Sequence, residues 1–330
     1  MATGTFKHVC MKPYFLIVLL FLQSACYAQK PFDNGYRGGY IDGLKKKPGT
    51  LEFLVVGDWG RNGDYYQKDV SATMARAAVT MGIDFIVSTG DNFYPEGVMS
   101  VQDPLWKSSF EDIYTAHSLH RIWYPVLGNH DYGGNPQAEI DYSKISRRWQ
   151  MPARYHSMEK YADDGTKVLM VFTDTSPFEK SNHQGKNEPF VSNIRAQDTA
   201  AQRKWLQEVL RASDARWKFV IGHHPLYTSG PRKGRKNDVA EALQPILESA
   251  GVDIYFAGHE HILEHDVLTP RLHHVISGSG SEVTPSTGNP LTKFVASQGG
   301  FVTCSVNKEE VWLQYINHEG KLIYSTSVKK

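Results

Sequence analysis

Short apolar segments alternate with longer amphipathic segments over the first two thirds of the chain. A short apolar segment bounded by glycine and polar residues is typical of a buried strand, whereas apolar residues at helical spacing are typical of an amphipathic helix. The pattern predicts strands at 51–56, 83–88, 123–127, 168–173, 218–221 and 254–257, and helices at 66–80, 198–212 and 239–249. Alternating strands and helices indicate an α/β fold.

The pattern changes after residue 271, where strand signals follow one another. We predict strands at 273–277, 301–306, 311–317 and 322–327. Both halves fit one α/β domain over residues 51–330, a sandwich of two mixed β-sheets flanked by helices. Residues 29–50, rich in Gly, Lys and Pro, are expected to form a surface lead-in before this domain. The polar residues 176–197 are expected to form a long surface loop.

Residues 1–28 have the pattern of a signal peptide. A weakly basic start precedes an apolar run at 15–22, and small residues lead up to a predicted cleavage point after Ala28. The run is shorter than the roughly 20 apolar residues that a membrane-spanning helix needs. A buried N-terminal helix and a lipid anchor at Cys26 are the alternatives, although Gln23 fits a lipoprotein signal poorly. We therefore expect a secreted or periplasmic protein without stable membrane insertion after cleavage.

Composition bears on the partners, the cysteines and the metal binding of this chain. The 36 Lys and Arg residues nearly balance the 35 Asp and Glu residues, and a net charge of +1 gives no reason to expect a nucleic-acid partner. Cleavage after Ala28 would leave Cys304 as the last of the three cysteines, so we expect no internal disulfide and a buried thiol in its apolar segment. The 14 histidines, several beside Gly or Asn, favour metal binding.

Five short polar blocks follow predicted strands. They are GDWG at 57–60, GDNFY at 90–94, GNHD at 128–131, GHHP at 222–225 and GHEH at 258–261. Each block alone is a weak signal, because Asp or His after Gly is usually a turn residue or a hydrogen-bonded residue. Ligands of open α/β sheets bind at the carboxyl ends of strands, so we expect all five blocks to converge on one rim.

The residue types in these blocks predict that they bind metal ions. Carboxylate, amide, phenolate and imidazole groups suit Fe, Mn or Zn, and the blocks contain no thiolate. Two aspartates, an asparagine and three imidazoles are too many ligands for one catalytic metal. They suit a pair of metals about 3.5–4 Å apart that share a carboxylate.

These blocks resemble the signature of metallophosphoesterases, and specifically of purple acid phosphatases. The most similar type is the small single-domain one that includes tartrate-resistant acid phosphatase. Tyr94, three residues after Asp91, sharpens the resemblance, because a tyrosine there ligates ferric iron in purple acid phosphatases. The resemblance spans roughly residues 50–320. It implies one catalytic domain that hydrolyses phosphate monoesters by attack of metal-activated hydroxide at an Fe(III)–M(II) centre.

The resemblance also implies a set of metal ligands. The ferric site would have Asp58, Tyr94 and His261, and the divalent site (Fe, Zn or Mn) would have Asn129, His223 and His259, with Asp91 shared. An anionic, phenolate-containing site favours Fe(III), and neutral ligands favour a divalent ion.

Four further residues are candidates for catalysis and substrate binding. His130 resembles the family's substrate-facing histidine, with a purely structural histidine as the alternative, and Asp131 is expected to hold its second ring nitrogen. His224 is a candidate substrate contact. The small mammalian members have a second catalytic histidine about nine residues after the position of His223, where this chain has Arg232. Arg232 or Lys233, in the basic stretch 231–236, is expected to bind phosphate, unless this stretch is simply solvated.

Three alternatives to an acid phosphatase stay open at this point. A phosphodiesterase or nucleotidase with two divalent metals would share every ligand except Tyr94. A scaffold of the same fold without metals is a second alternative, and a redox-active di-iron protein is a third. We expect a monomer that acts on small phosphate monoesters or phosphopeptides.

Overall fold

The structure, a computed structural model, describes residues 1, 2, 4, 39–185 and 187–330. The apolar run and the cleavage point of the predicted signal peptide lie outside the described residues. The residues described from 39 onward belong to one compact unit. In these described ranges, no helix has both the length and the apolar character needed to cross a bilayer.

Two β-sheets form the centre of the molecule. Their strands, in chain order, are β1 Leu51–Val56, β2 Phe85–Ser88, β3 Ile122–Pro125, β4 His156–Tyr161, β5 Lys167–Phe172, β6 Trp217–Ile221, β7 Ile254–Ala257, β8 Leu263–Val267, β9 His273–Ser277, β10 Thr292–Ala296, β11 Gly300–Val306, β12 Glu310–Asn317 and β13 Leu322–Lys329. The helices are α1 Gln67–Met81, α2 Pro136–Tyr142, α3 Glu188–Arg195, α4 Thr199–Ala212 and α5 Asp238–Ser249.

Both sheets are mixed. The first has the order β13-β12-β11-β1-β2-β3 and the second the order β10-β8-β9-β7-β6-β5-β4. Strands β1, β2 and β3 run parallel, and β11 joins β1 in the antiparallel sense. In the second sheet β5, β6, β7 and β9 run parallel. The predicted fold class, two mixed sheets flanked by helices, is confirmed.

The main core lies between the sheets. Phe53 of β1 stacks on Phe85 with ring centroids 5.0 Å apart, and meets Phe219 and Phe256 of the second sheet at 6.3 and 6.2 Å. A second core covers the outer face of the second sheet, where apolar residues of α4 and α5 pack on it. Strands covered on both faces form nearly continuous apolar runs, which explains why the sequence pattern revealed them.

Several parts of the chain differ from or add to the sequence prediction. The stretch 176–197, predicted as a long loop, contains helix α3, whose Val191 and Ile194 are buried, so that prediction is wrong for residues 188–195. Strands β4, β8 and β10 and helix α2 were not predicted. Within residues 39–50, Lys45 exchanges two hydrogen bonds of 3.1 and 2.8 Å with Gln314 of β12, and the backbone N of Ile41 donates to Thr80 of α1 at 3.3 Å. Cys304 is a free, buried thiol, as predicted.

Candidate metal centre

The five polar blocks lie beyond the carboxyl ends of five strands. Blocks 57–60, 90–94 and 128–131 follow β1, β2 and β3 of the first sheet, and blocks 222–225 and 258–261 follow β6 and β7 of the second. Three of their residues have a left-handed backbone, Asp58 at φ 57°, Asp91 at φ 49° and His259 at φ 69°. This conformation is uncommon for residues other than glycine, and it clusters at functional sites.

Asp91 lies in the middle of the convergent side chains. Its Oδ1 accepts a hydrogen bond from the backbone N of His130 at 2.8 Å, and its Oδ2 lies 3.0 Å from the Tyr94 hydroxyl and 3.4 Å from Nε2 of His223. Burial alone would raise the pKa of Asp91, but the adjacent His223 outweighs it and holds that pKa well below its ordinary value. Asp91 is therefore an anion that several neighbours approach from different sides.

Tyr94 brings a phenol into the same cluster. Its hydroxyl oxygen lies 3.2 Å from Oδ1 of Asp58 and 3.3 Å from Nε2 of His261. Burial raises the pKa of Tyr94 well above its ordinary value, and the charges of Asp58 and Asp91 raise it further. Ionising this phenol therefore needs a strong positive charge at the cluster.

A second group of donors adjoins Asp91 on the other side. Nε2 of His223 lies 3.1 Å from Oδ1 of Asn129 and 3.1 Å from Nδ1 of His259. The other nitrogen of His223, Nδ1, is 2.9 Å from the carbonyl oxygen of Thr89, which fixes the orientation of the ring. Burial by itself would lower the pKa of His223, but Asp91 raises it to about 9.

The donor set fits metal ions. One ligand atom from each of Asp58, Asp91 and His223 lies within 4.8 Å of the other two, and the same holds for His223, His224 and His259. Carboxylate, phenol, amide and imidazole groups crowd together here. Such a set is typical of a dinuclear centre with a shared carboxylate. The structure thus brings all seven predicted ligands together.

His130 lies at the mouth of the cluster, with 39% of its side chain exposed. Its Nδ1 is 2.5 Å from the carbonyl oxygen of Pro95, and its Nε2 is 4.0 Å from Oδ2 of Asp91. The prediction that Asp131 holds the His130 ring is therefore wrong, because the carbonyl of Pro95 takes that position.

Asp131 instead joins two ligand-bearing loops. Its carboxylate accepts hydrogen bonds from the backbone N–H groups of Asn92, Phe93 and Gly128, at 2.8 to 3.1 Å. Asn92 belongs to the block of Asp91, and Gly128 to the block of Asn129. Asp131 therefore sets the distance between these two loops.

The two predicted substrate contacts occupy different surroundings. His224 is buried and its Nδ1 lies 2.9 Å from the hydroxyl of Thr175. Arg232 has 45% of its side chain exposed, and its Nη1 is 3.4 Å both from Oε1 of Glu260 and from the carbonyl of His259. Both residues line a cavity beside the cluster.

Sequence reasoning missed two neighbours of the ligands. Arg61 places its guanidinium carbon 3.7 Å from the ring centroid of Tyr94, and its Nη2 is 2.6 Å from Oε2 of Glu282. Glu282 also lies 3.6 Å from Nδ1 of His261. The position of Arg61, directly after the first block, was the one available signal.

Comparisons with known proteins agree with this geometry. A family model described as calcineurin-like phosphoesterase matches residues 51–263. Purple acid phosphatase 17 of Arabidopsis thaliana is 35% identical over 309 residues, which cover 90% of this chain and 89% of that protein. Human tartrate-resistant acid phosphatase type 5 is 31% identical over 303 residues, or 85% and 91% of the two chains.

Solved structures support the fold. The purple acid phosphatase PPD1 from yellow lupin seeds superimposes with a TM-score of 0.62 at 15% identity, covering 85% of this chain and 54% of that one. The structure of GAP50, the anchor in the inner membrane complex of Plasmodium, gives a TM-score of 0.73 at 24% identity, covering 85% of this chain and 89% of that one.

The class follows from the fold and the family model together: the protein is a metallophosphoesterase. Identity above 30% over most of both chains takes the assignment one step further. The chain belongs to the purple acid phosphatase family, as its sequence blocks predicted.

Proposed function

We propose that the protein is an acid phosphatase that hydrolyses phosphate monoesters at a dinuclear metal centre. The observation that carries the proposal is the convergence of seven donor side chains from two sheets, with the carboxylate of Asp91 in their middle. Membership of the purple acid phosphatase family supports the same activity.

The donor chemistry supports an unequal pair of metals. Asp58, Tyr94 and His261 would hold Fe(III), Asn129, His223 and His259 would hold a divalent Fe, Zn or Mn ion, and Asp91 would be shared. When bound, such a pair supplies Lewis-acid activation of water and neutralises charge on the phosphate. The protein's contribution is to hold these ligands on turns fixed by two sheets.

His130 is the residue that we propose for proton transfer. The carbonyl of Pro95, 2.5 Å from Nδ1, can only accept a hydrogen bond, so Nδ1 carries a hydrogen. This leaves Nε2 as the atom that gains or donates a proton toward the solvent-exposed mouth. Protonated at Nε2, His130 would donate to the departing alcohol oxygen of the substrate.

We also propose that the mature protein is exported and works as a monomer on small phosphate esters or phosphopeptides. The basic start, short apolar run and small residues before residue 29 support export. The near balance of charges supports a substrate other than nucleic acid.

The visible spectrum of the purified protein, with iron analysis of the same sample, tests the proposed metal centre. We expect a purple or pink band that survives dialysis and disappears in Tyr94→Phe, while Tyr161→Phe, at an exposed tyrosine of β4, keeps it. A colourless but active metalloprotein would indicate a phosphoesterase with two divalent ions. A protein that takes up no metal on reconstitution would be a scaffold and would contradict the proposal.

A further inference from the structure

Two cavities meet at the proposed metal centre. The smaller, of about 280 Å³, is lined by Asp91, His130 and His261, and is therefore the place for the reacting phosphate. The larger, of about 370 Å³, extends from Asn129 and His259 toward residues 179–182 and 225–237. A phosphate ester bound at the metals would place its alcohol part in this larger cavity, which is large enough for a small organic group.

Arg232 and Arg235 line both cavities, and Lys236 lines the larger one. Arg232 is paired with Glu260 at 3.4 Å, and Lys236 with Asp238 at 3.3 Å. Within the described residues, Arg235 has no carboxylate within ion-pair distance. A guanidinium that lacks an acidic partner beside a cavity is suited to binding a carboxylate or a phosphate with two parallel hydrogen bonds.

The wall that carries these cations is anchored at both ends. At its start, the backbone N of Ser229 donates to Oε2 of the buried Glu264 at 2.9 Å. At its end, Nδ2 of Asn237 donates to the carbonyl of Pro225 at 2.8 Å. In the middle, Lys233 donates to the hydroxyl of Thr287 at 3.3 Å. An anchored loop loses less conformational entropy when a ligand binds to it.

The rest of the lining of the larger cavity is mostly uncharged, apart from Glu179 and from Glu260, which is paired with Arg232. Ser181 and Asn182 contribute neutral hydrogen-bonding groups, and Glu179 contributes one carboxyl group. Burial raises the pKa of Glu179 above its ordinary value, so this group is less negative in acid. An anionic ligand would therefore be attracted to the arginine side and would meet limited repulsion from the other side.

We propose that this enzyme prefers phosphate monoesters whose alcohol part carries a second anionic group, which Arg235 binds in the larger cavity. The preference rests on the proposed phosphatase function, since the first phosphate must occupy the metal centre. The substrate class is then a small alcohol that carries a carboxylate or a second phosphate beside its ester, and Arg235 is a specificity-determining residue.

A matched pair of substrates tests this proposal. In 3-phosphoglycerate a carboxylate replaces the CH2OH group of glycerol 3-phosphate, and the two are otherwise alike. With the metal-loaded enzyme we expect kcat/KM to be higher for 3-phosphoglycerate. In Arg235→Gln the ratio of the two kcat/KM values should fall about threefold to tenfold, the effect of losing one charged contact at a partly exposed site.

Two variants separate this contact from general electrostatics. Arg235→Lys keeps the charge and should retain most of the ratio. Arg211→Gln removes the same charge from the exposed end of α4 and should leave the ratio at its wild-type value. A high salt concentration should weaken the preference in the wild type, because salt screens partly exposed charges.

The outcomes distinguish the two proposals. Hydrolysis of both substrates with a wild-type ratio of one or less, or with the same ratio in Arg235→Gln, would overturn the anion preference and leave the phosphatase function standing. Failure of the metal-loaded enzyme to hydrolyse either substrate or p-nitrophenyl phosphate would overturn the phosphatase function, and the anion preference with it.

Discussion

The positively charged guanidinium of Arg61 lies over one face of the Tyr94 ring. The guanidinium carbon of Arg61 lies 3.7 Å from the ring centroid, and the ion pair with Glu282 at 2.6 Å holds it there. A cation over an aromatic face stabilises the electrons of the ring. The colour expected for a ferric tyrosinate comes from moving an electron from this ring toward the metal, and thus away from Arg61. The arginine should therefore raise the energy of that transition.

We predict that Arg61→Gln shifts the visible band to longer wavelength. A cation–π interaction of about 0.5–2 kcal/mol corresponds to a shift on the order of 5–20 nm in the middle of the visible range. Arg61→Lys keeps the charge and should shift the band less. Absorption spectra of the three iron-loaded proteins provide the measurement, and an unchanged or blue-shifted band in Arg61→Gln would contradict the prediction.

At the residue scale, the sequence indicated which side chains meet at the proposed metal centre better than it indicated the residues that position them. Asp58 and Asp91 follow apolar strands directly, so strand ends alone predict that they meet. Asp131 was misassigned because it adjoins His130 in sequence, whereas its carboxylate turns toward the backbone of Asn92 and Gly128. The direction of a side chain between two loops depends on packing that sequence spacing does not encode.

At the scale of elements, the loops after β2 and β3 approach each other very closely. A Cβ atom built at Gly128 would overlap both the backbone N and the Oδ1 of Asp91. Glycine is therefore needed at this position because there is no space for a side chain. The positions of Asp91, the proposed shared carboxylate, and of Asn129, the proposed ligand next to Gly128, depend on this contact.

Gly128→Ala should consequently displace Asp91. We expect a loss of about 1–3 kcal/mol in the free energy of unfolding, and a metal content well below two per chain after reconstitution. Gly165→Ala is the control, because Gly165 lies in the turn between β4 and β5 with open space and φ 83°. It should cost about 1 kcal/mol of backbone strain and keep both metals. Full metal content in Gly128→Ala, measured by elemental analysis, would refute the steric argument.

The strands that the sequence pattern predicted and those that it did not predict differ in the polarity of their residues. The ends of β1, β7 and β9 were predicted correctly, because each is a short run bounded by polar or glycine residues. Strand β8 escaped prediction because its middle residues, Glu264, His265 and Asp266, are polar and yet buried. Hydrogen bonds such as that from Thr292 to Asp266 at 2.9 Å satisfy these groups, and those partners come from distant sequence.

At the scale of the whole molecule, the proposed centre bridges the two sheets. Asp58, Asp91, Tyr94 and Asn129 follow strands of the first sheet, and His223, His259 and His261 follow strands of the second. Phe53 of β1 packs on Phe219 of the second sheet in the core that joins the two sheets. The precision of the site therefore depends on the main core as well as on the loops.

A buried acid on strand β1 links the stability of the molecule to pH. Glu52 of β1 is fully buried, and its carboxyl accepts hydrogen bonds from the hydroxyls of Thr50 at 2.5 Å and Ser305 at 2.7 Å. Burial raises the pKa of Glu52 from 4.5 to about 7, since it disfavours the charged form more than these hydrogen bonds favour it. The folded protein therefore retains a proton that the unfolded chain has already released.

The difference between the pKa of Glu52 in the folded and in the unfolded state sets the direction of the pH dependence of stability. Between pH 4.5 and about 7 the folded state binds more protons than the unfolded state, so the free energy of unfolding falls as the pH rises. Below pH 4.5 the stabilisation that the raised pKa of Glu52 gives to the folded state is fully present. Above about pH 7 this stabilisation is lost. We predict that Glu52→Gln, which is neutral at every pH, gains on the order of 2–3 kcal/mol relative to the wild type between pH 5 and pH 7.5. Urea unfolding at both pH values measures this gain, and Glu208→Gln, at an exposed position of α4, should show none. An equal difference between Glu52→Gln and the wild type at the two pH values would mean that Glu52 is already ionised in the folded protein at pH 5.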